Sequence, residues 1–175
     1  GMDWFDAVCH SFATLATGGF STRTYSIADF HSLYLEVVLT VFMLVGGINF
    51  ALHYRLLRGE AFAWWKDAEV RFFLGAFLLA SAVGAVGLHH ARAAAGLGWG
   101  GAFRETTFTC ASLMTTTGFV TGDYEQWPRV LKPMLILLML LGGCAGSTAG
   151  AIKVGRIQVI LKAVVREVRL FMQPQ

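Results

Sequence analysis

Three long apolar runs constrain this chain more than any other feature. They cover Leu33–Leu52, Phe72–Leu88 and Leu131–Ile152, and their only charged residues, Glu36 and Lys132, lie near the start of a run. A helix needs about 20 mostly apolar residues to cross a bilayer. Hydrophobic residues make up 55% of the chain and charged residues only 14%. The sequence therefore predicts an all-α polytopic membrane protein, with the buried helices of a soluble protein as the alternative.

The basic residues predict the orientation of the chain in the membrane. Nine of the fourteen Lys and Arg residues lie between the first two runs or after the third: Arg55, Arg58, Lys66, Arg71, Lys153, Arg156, Lys162, Arg166 and Arg169. Because basic residues favour the cytoplasmic side, these connections are predicted to face inward. The opposite face carries more acids and would mildly attract cations. The chain lacks the basic and aromatic interleaving of a nucleic-acid surface, so no nucleic-acid partner is expected.

The chain contains an internal repeat with an offset of 99 residues. The segments FATLATGGFSTRTY (12–25) and ASLMTTTGFVTGDY (111–124) share Thr, Gly, Phe, Thr and Tyr at matching positions. Each copy predicts a short helix (about 4–16 and 102–115), a Thr/Gly loop and then a spanning helix. A loop enters the membrane only where it is buried in protein or lines water. The two loops are therefore predicted to line a polar path, with external turns as the alternative.

The loop residues suit a desolvated alkali cation, which needs oxygen atoms in place of its water. Backbone carbonyls supply such oxygens, and glycine readily adopts the angles that turn them inward. The preceding short helices would point their negative C-terminal ends toward the path. We expect glycines to shape the loops, threonine hydroxyls to add oxygens and phenylalanine rings to pack outward as braces. These residues are Gly18, Gly19 and Gly118; Thr17, Thr116 and Thr117; and Phe20 and Phe119.

Through FATLATGGFST, TTTGFVTGDYEQWP and GGCAGSTAGAIKVGRI, the chain resembles the Trk/Ktr/HKT superfamily of potassium transporters. The resemblance covers essentially the whole chain. It implies a pore of four helix–pore-loop–helix repeats, with the carbonyls of residues 17–20 and 116–119 in its selectivity filter. Residues 1–58 would be the pore helix, filter loop and inner helix of the second repeat, without its outer helix. Residues 59–175 would be the outer helix, pore helix, filter loop, broken inner helix and basic cytoplasmic tail of the third.

The same resemblance implies a cargo and partners. Potassium would be the transported ion, bound at the filter carbonyls only, with no cofactor and no enzymatic activity. The expected partners are the lipid bilayer of a bacterial inner membrane, the remaining repeats, a second copy in a homodimer of the full protein, and a cytosolic nucleotide-binding regulatory subunit. Two loops cannot surround an ion, so we expect a fragment of a longer four-repeat transporter, with an assembly of two copies as the alternative.

Other functions remain open from the residues alone. A non-conducting membrane scaffold or assembly subunit fits the same apolar runs, and a sodium-permeable pathway fits the same loops. A membrane enzyme using Ser147, Cys144 or a histidine would need a nucleophile and a base brought together, and no spacing in the chain indicates that.

The third apolar run contains an unusual group of small residues, GGCAGSTAG. Four glycines in nine residues weaken a helix. Small residues also allow helices to pack closely, so a packing seam is one interpretation. The family resemblance implies instead an unwound intramembrane loop that acts as a gate beneath the filter. The predicted gate residues are Gly142, Gly143, Ala145, Gly146, Ser147, Thr148, Ala149 and Gly150.

Overall fold

The structure is a computed structural model that describes residues 1–60, 62–92 and 96–172. The last three residues of the predicted unit 59–175 thus lie outside the described residues. The first half contains α1 (Trp4–Leu15), a 3-10 helix (Ser26–Phe30), α2 (Leu33–Gly46), α3 (Phe50–Leu57), α4 (Ala63–Lys66) and α5 (Ala68–Arg92). The second half contains α6 (Trp99–Met114), a 3-10 helix (Tyr124–Gln126), α7 (Lys132–Leu140) and α8 (Val154–Met172).

The second apolar run forms α5, a continuous helix of 25 residues, as predicted. Among the described residues it is the one helix long and apolar enough to cross a membrane by itself. It packs along α6 at Gly84, which has no side chain. A Cβ atom built on Gly84 would lie only 3.2 Å from the methyl carbon of Thr106, so the glycine allows this close approach. Phe73 and Phe108 fill the same core and are almost fully buried. This packing places α6 against the helix that is long and apolar enough to span a membrane.

The first apolar run is not the single helix that the sequence predicts. It is broken between α2 and α3, and the angle between the two helices is 100°. Neither helix is long enough to cross a membrane by itself, but the pair together has the length and hydropathy of one broken span. The side chain of Asn49 caps α3 by accepting the N–H of Ala51 at 2.8 Å. The carbonyl of Gly47 accepts the N–H of Cys144 at 2.9 Å. Bonds to a cap and to a distant segment thus replace the helical bonds that a continuous span would make.

The third apolar run is also not a continuous span. Its helix α7 covers nine residues, and residues 141–153 are non-helical before α8 begins. Gly142 N–H donates to the carbonyl of Ile152 at 2.9 Å, and Leu141 forms an isolated bridge with Ile152. The prediction that the glycine-rich part weakens the helix is confirmed.

The internal repeat is present in the structure with the same offset. The short helices α1 and α6 end at Leu15 and Met114, and the helices that follow the loops, α2 and α7, begin at Leu33 and Lys132. Both pairs are 99 residues apart. The two units are joined by an ion pair in which Arg104 of α6 donates twice to Glu36 of α2, at 2.6 and 2.7 Å. The two Thr/Gly loops are thereby brought side by side.

Candidate functional site

The two Thr/Gly loops have the same unusual backbone conformation. In the first loop φ is positive at Thr17 (50°) and Gly19 (65°), and in the second at Thr116 (56°) and Gly118 (88°). The residues between them do not have a positive φ. A left-handed threonine costs about 1–2 kcal/mol, so its surroundings must hold it there. When left-handed and right-handed backbone conformations alternate, successive N–H groups point to one side of the backbone and the carbonyl groups to the other.

The first N–H groups of both loops are bonded to the preceding helix. Thr17 and Gly18 donate to carbonyls in the last turn of α1, at 3.1 and 2.8 Å. Thr116 and Thr117 donate to carbonyls in the last turn of α6, at 3.0 and 2.9 Å. Within the ranges that the structure describes, the carbonyl oxygens of residues 17–20 and 116–118 accept no hydrogen bond. A row of unpaired carbonyls needs water or a cation as its partner.

The two loops touch through a glycine. An ideal Cβ atom on Gly19 would lie only 1.9 Å from the carbonyl oxygen of Thr117. No residue other than glycine therefore fits at position 19 unless the loops separate. Gly118 differs, because no atom of the described residues lies within 4 Å of its ideal Cβ position. The two loops are therefore in close contact at Gly19, whereas the space beside Gly118 is open.

The two loop phenylalanines have different surroundings. Phe119 is buried, and its ring lies 5.7 Å from the His10 ring in α1, so the prediction that it braces its loop is confirmed. Phe20 is 81% exposed in the described part of the chain, so for this residue the bracing role stays a prediction. The reason is that Phe119 packs on the short helix of the other unit, whereas the described part of the chain supplies no such helix to Phe20. The Ser112 hydroxyl also donates to the Phe119 carbonyl at 2.7 Å, which occupies one of its lone pairs.

The segment of small residues binds the inner ends of both loops. The hydroxyl of Thr148 donates to the carbonyl of Leu15 at 2.9 Å, and its own carbonyl accepts the hydroxyl of Thr17 at 3.0 Å. Gly150 N–H donates to the Thr116 hydroxyl oxygen at 2.6 Å. The hydroxyls of Thr17 and Thr116 thus have protein partners. One segment of the broken third run therefore links both Thr/Gly loops.

The same segment is held at the break in the first run. Phe50 N–H donates to the carbonyl of Gly146 at 3.1 Å. An ideal Cβ on Gly143 would lie 2.6 Å from the carbonyl oxygen of Gly47, so this approach also requires a glycine. The two broken spans therefore meet at their breaks, directly beneath the Thr/Gly loops.

Two charged side chains that the sequence analysis did not single out also hold this segment. The Glu69 carboxylate accepts the N–H of Ala145 at 2.8 Å. The Lys153 ammonium donates to the carbonyls of Ser147 (3.3 Å) and Ala149. Glu69 lies outside every motif, and Lys153, within GGCAGSTAGAIKVGRI, stood in the sequence only as one basic residue of the cytoplasmic side, so spacing gave no signal for either role.

At the outer side, an acid at the same position in each short helix holds the chain that follows the loop. Asp6 of α1 accepts the Thr22 hydroxyl at 2.6 Å and the Arg23 guanidinium at 2.7 Å. Its equivalent in α6, Glu105, accepts the indole N–H of Trp127 at 2.6 Å. Hydrogen bonds from Thr22 and then Arg23 lower the pKa of the Asp6 carboxyl, so it stays ionised.

The chain is similar to known cation transporters over its whole length. A family profile described as "TrkH: Cation transport protein" matches residues 2–175. The chain is 38% identical to the Trk system potassium uptake protein TrkH of Escherichia coli (strain K12), over 99% of this chain and 36% of that protein. It is 33% identical to TrkG of the same strain, over 100% of this chain and 36% of that protein. The chain thus spans little more than a third of the length of these relatives.

A solved structure gives the same result. The crystal structure of the potassium transporter TrkH from Vibrio parahaemolyticus matches the whole chain with a TM-score of 0.94 and 35% identity, and this chain covers 38% of it. The predicted class, an all-helical polytopic membrane protein, is thereby confirmed, and the alternative of a soluble helical protein is wrong.

Proposed function

Because this chain belongs to the TrkH family of cation transport proteins, which are membrane transporters and not enzymes, we propose that it lines the ion path of a potassium uptake system. Its relatives are named as potassium uptake proteins. The observation that carries the proposal is the row of carbonyl oxygens at 17–20 and 116–118. They accept no hydrogen bond within the described residues, while the N–H groups of residues 17, 18 and 116–118 are bonded to α1 and α6. Such a row can replace the water around K⁺.

Two loops alone leave an ion uncovered, so further loops would complete the ring. The open space beside Gly118 and the exposed ring of Phe20 support this proposal, because they are the two places where a neighbouring loop and helix would fit. In this proposal residues 1–58 and 59–175 are two successive repeats. The other loops come from a longer chain or from a second copy.

The segment 142–150 would act as the gate beneath these loops. The bonds that its residues Thr148 and Gly150 make with the two loops and the end of α1 support the proposal, because a K⁺ ion leaving the filter inward would meet this segment first. The ammonium of Lys153 neutralises carbonyls that would otherwise attract the ion. A homodimer of the whole transporter and a cytosolic nucleotide-binding subunit remain predictions of the family resemblance.

The test is uptake of radioactive rubidium, a tracer for potassium, into liposomes that hold the intact transporter containing this chain. Potassium should compete with rubidium at a much lower concentration than sodium. Gly118→Val should abolish this preference, because a φ of +88° lies beyond the left-handed region that Thr17 and Thr116 occupy, so a β-branched residue there would force the filter backbone to change. Gly59→Val is the matched control, since Gly59 has a φ of +93°, lies outside the loops and, like Gly118, has no atom of the described residues within 4 Å of its ideal Cβ position.

Three outcomes would contradict the proposal. Equal competition by sodium and potassium would argue against a potassium filter. An unchanged preference in Gly118→Val would argue against carbonyl selection by this loop. No uptake by an intact, correctly inserted transporter would favour a non-conducting scaffold.

A further inference from the structure

His10 is a buried side chain between the two Thr/Gly loops, with both ring nitrogens in use. Nδ1 lies 2.6 Å from the carbonyl oxygen of Asp6, and Nε2 lies 2.9 Å from the hydroxyl oxygen of Ser21. Because a carbonyl only accepts, Nδ1 carries the hydrogen, and Nε2 of the neutral ring then accepts the Ser21 hydroxyl. The Ser21 oxygen in turn accepts the N–H of Arg23 at 3.1 Å. The network is fully satisfied by one tautomer of a neutral histidine.

The ring of His10 contacts the second unit as well. The centroid of the His10 ring lies 5.7 Å from that of Phe119 in the second unit, with an interplanar angle of 31°. In the first unit, the ring of Phe30 packs edge-on at a centroid distance of 5.4 Å. Ser21 directly follows the first loop, and Phe119 ends the second. One side chain with 1% exposure therefore contacts the ends of both loops.

We infer that His10 is a positioning residue that fixes the distance between the two filter loops, by its hydrogen bond to Ser21 on one loop and its ring contact with Phe119 on the other. This inference rests on the proposed function. The position 99 residues later is Thr109, whose side chain lacks a ring, so the second short helix does not repeat the device. The residue therefore belongs to the junction between these two loops, where Gly19 already touches the Thr117 carbonyl.

The hydrogen bond of His10 to Ser21 and its ring contact with Phe119 can be tested separately. His10→Phe keeps a ring against Phe119 but loses the bond to Ser21, and Ser21→Ala loses the same bond from the other side. In the rubidium assay on the intact transporter, each variant should lower the preference for potassium over sodium about fivefold to tenfold, the effect of one lost buried hydrogen bond. The double variant should show no further loss, because both substitutions remove the same interaction. The maximal uptake rate per inserted transporter should change less than the preference.

The control is His90→Gln, because His90 is an exposed histidine whose Nδ1 bonds only to its own helix. It should keep the wild-type preference. An unchanged preference in Ser21→Ala overturns the inference even if His10→Phe fails to insert. Additive losses in the double variant overturn it too, because they mean that the two side chains act separately.

Gly19→Ala in the same assay distinguishes the possible failures. If Gly19→Ala lowers the preference and the His10 and Ser21 variants do not, only the role of His10 is wrong. If Gly19→Ala also leaves the preference unchanged, the filter assignment is wrong and the inference falls with it.

Discussion

Gly19→Ala tests the contact between the two loops most directly. The added methyl group would lie 1.9 Å from the Thr117 carbonyl oxygen, whereas real Cβ contacts essentially never fall below 3.0 Å. The loops must therefore separate by about 1 Å, which exceeds the roughly 0.5 Å that a binding site tolerates. An alanine at a φ of +65° also costs about 1 kcal/mol in backbone strain. Both effects fall on carbonyls that we assign to the ion path.

We expect Gly19→Ala to reduce the preference for potassium over sodium by at least about tenfold, because a loss of about 1.4 kcal/mol in discrimination suffices. The measurement is the competition of potassium and sodium with rubidium uptake into liposomes. Gly18→Ala is the control in the same loop. Gly18 lacks a positive φ, and its nearest neighbour, at 3.3 Å, is the exposed ring of Phe20, which can move. Equal losses in the two variants, or a normal preference in Gly19→Ala, would refute the reasoning.

Three further predictions concern the gate, the contact between the units and the outer brace. Thr148→Val removes a hydroxyl that bonds the first short helix and α2, and it should raise rubidium flux about fivefold at unchanged selectivity. Ser147→Ala, which removes a bond inside the segment only, should have little effect. Arg104→Gln leaves the buried Glu36 carboxylate unpaired and should destabilise the protein by about 1–2 kcal/mol, visible as a lower melting temperature in detergent that Glu36→Gln partly restores. Because the pKa of Asp6 is lowered in the folded protein, its contribution to stability is present above the pKa of a free aspartate and is lost only as the pH falls through the lowered value. Melting curves of Asp6→Asn should therefore lack part of the acid-induced loss of stability that the wild type shows below about pH 5.

The repeated part of the fold was predictable because its causes are local. The Thr/Gly loops follow helices that end 99 residues apart, and glycine or threonine supplies the unusual φ in both copies. The second span was predictable because Phe72–Leu88 is uninterrupted by charge. The apolar pattern gave a wrong continuous helix over Leu33–Leu52, since hydropathy does not report where a helix exchanges its own hydrogen bonds for those of a neighbour. Over Leu131–Ile152 the break was predictable, because the group of glycines there weakens a helix.

The residues that hold the candidate site were not predictable from spacing. His10 was an isolated histidine in the sequence, and Lys153 was one basic residue of a tail. Their roles arise from contacts with Ser21, with Phe119 and with carbonyls of residues 142–150, which the chain brings close only when it is folded.

The sequence by itself determined the membrane class, the two repeated loops and their oxygen-rich chemistry, because these depend on residue type and on neighbours within about one helical turn. Only the tertiary structure decided which carbonyls stay unpaired, how the loops touch and what supports them from below. The bond from Thr17 to Thr148 joins residues 131 positions apart, and the ion pair of Glu36 with Arg104 joins residues 68 apart. Such pairs form because the packing of the helices places them together, and no local pattern in the chain encodes that proximity.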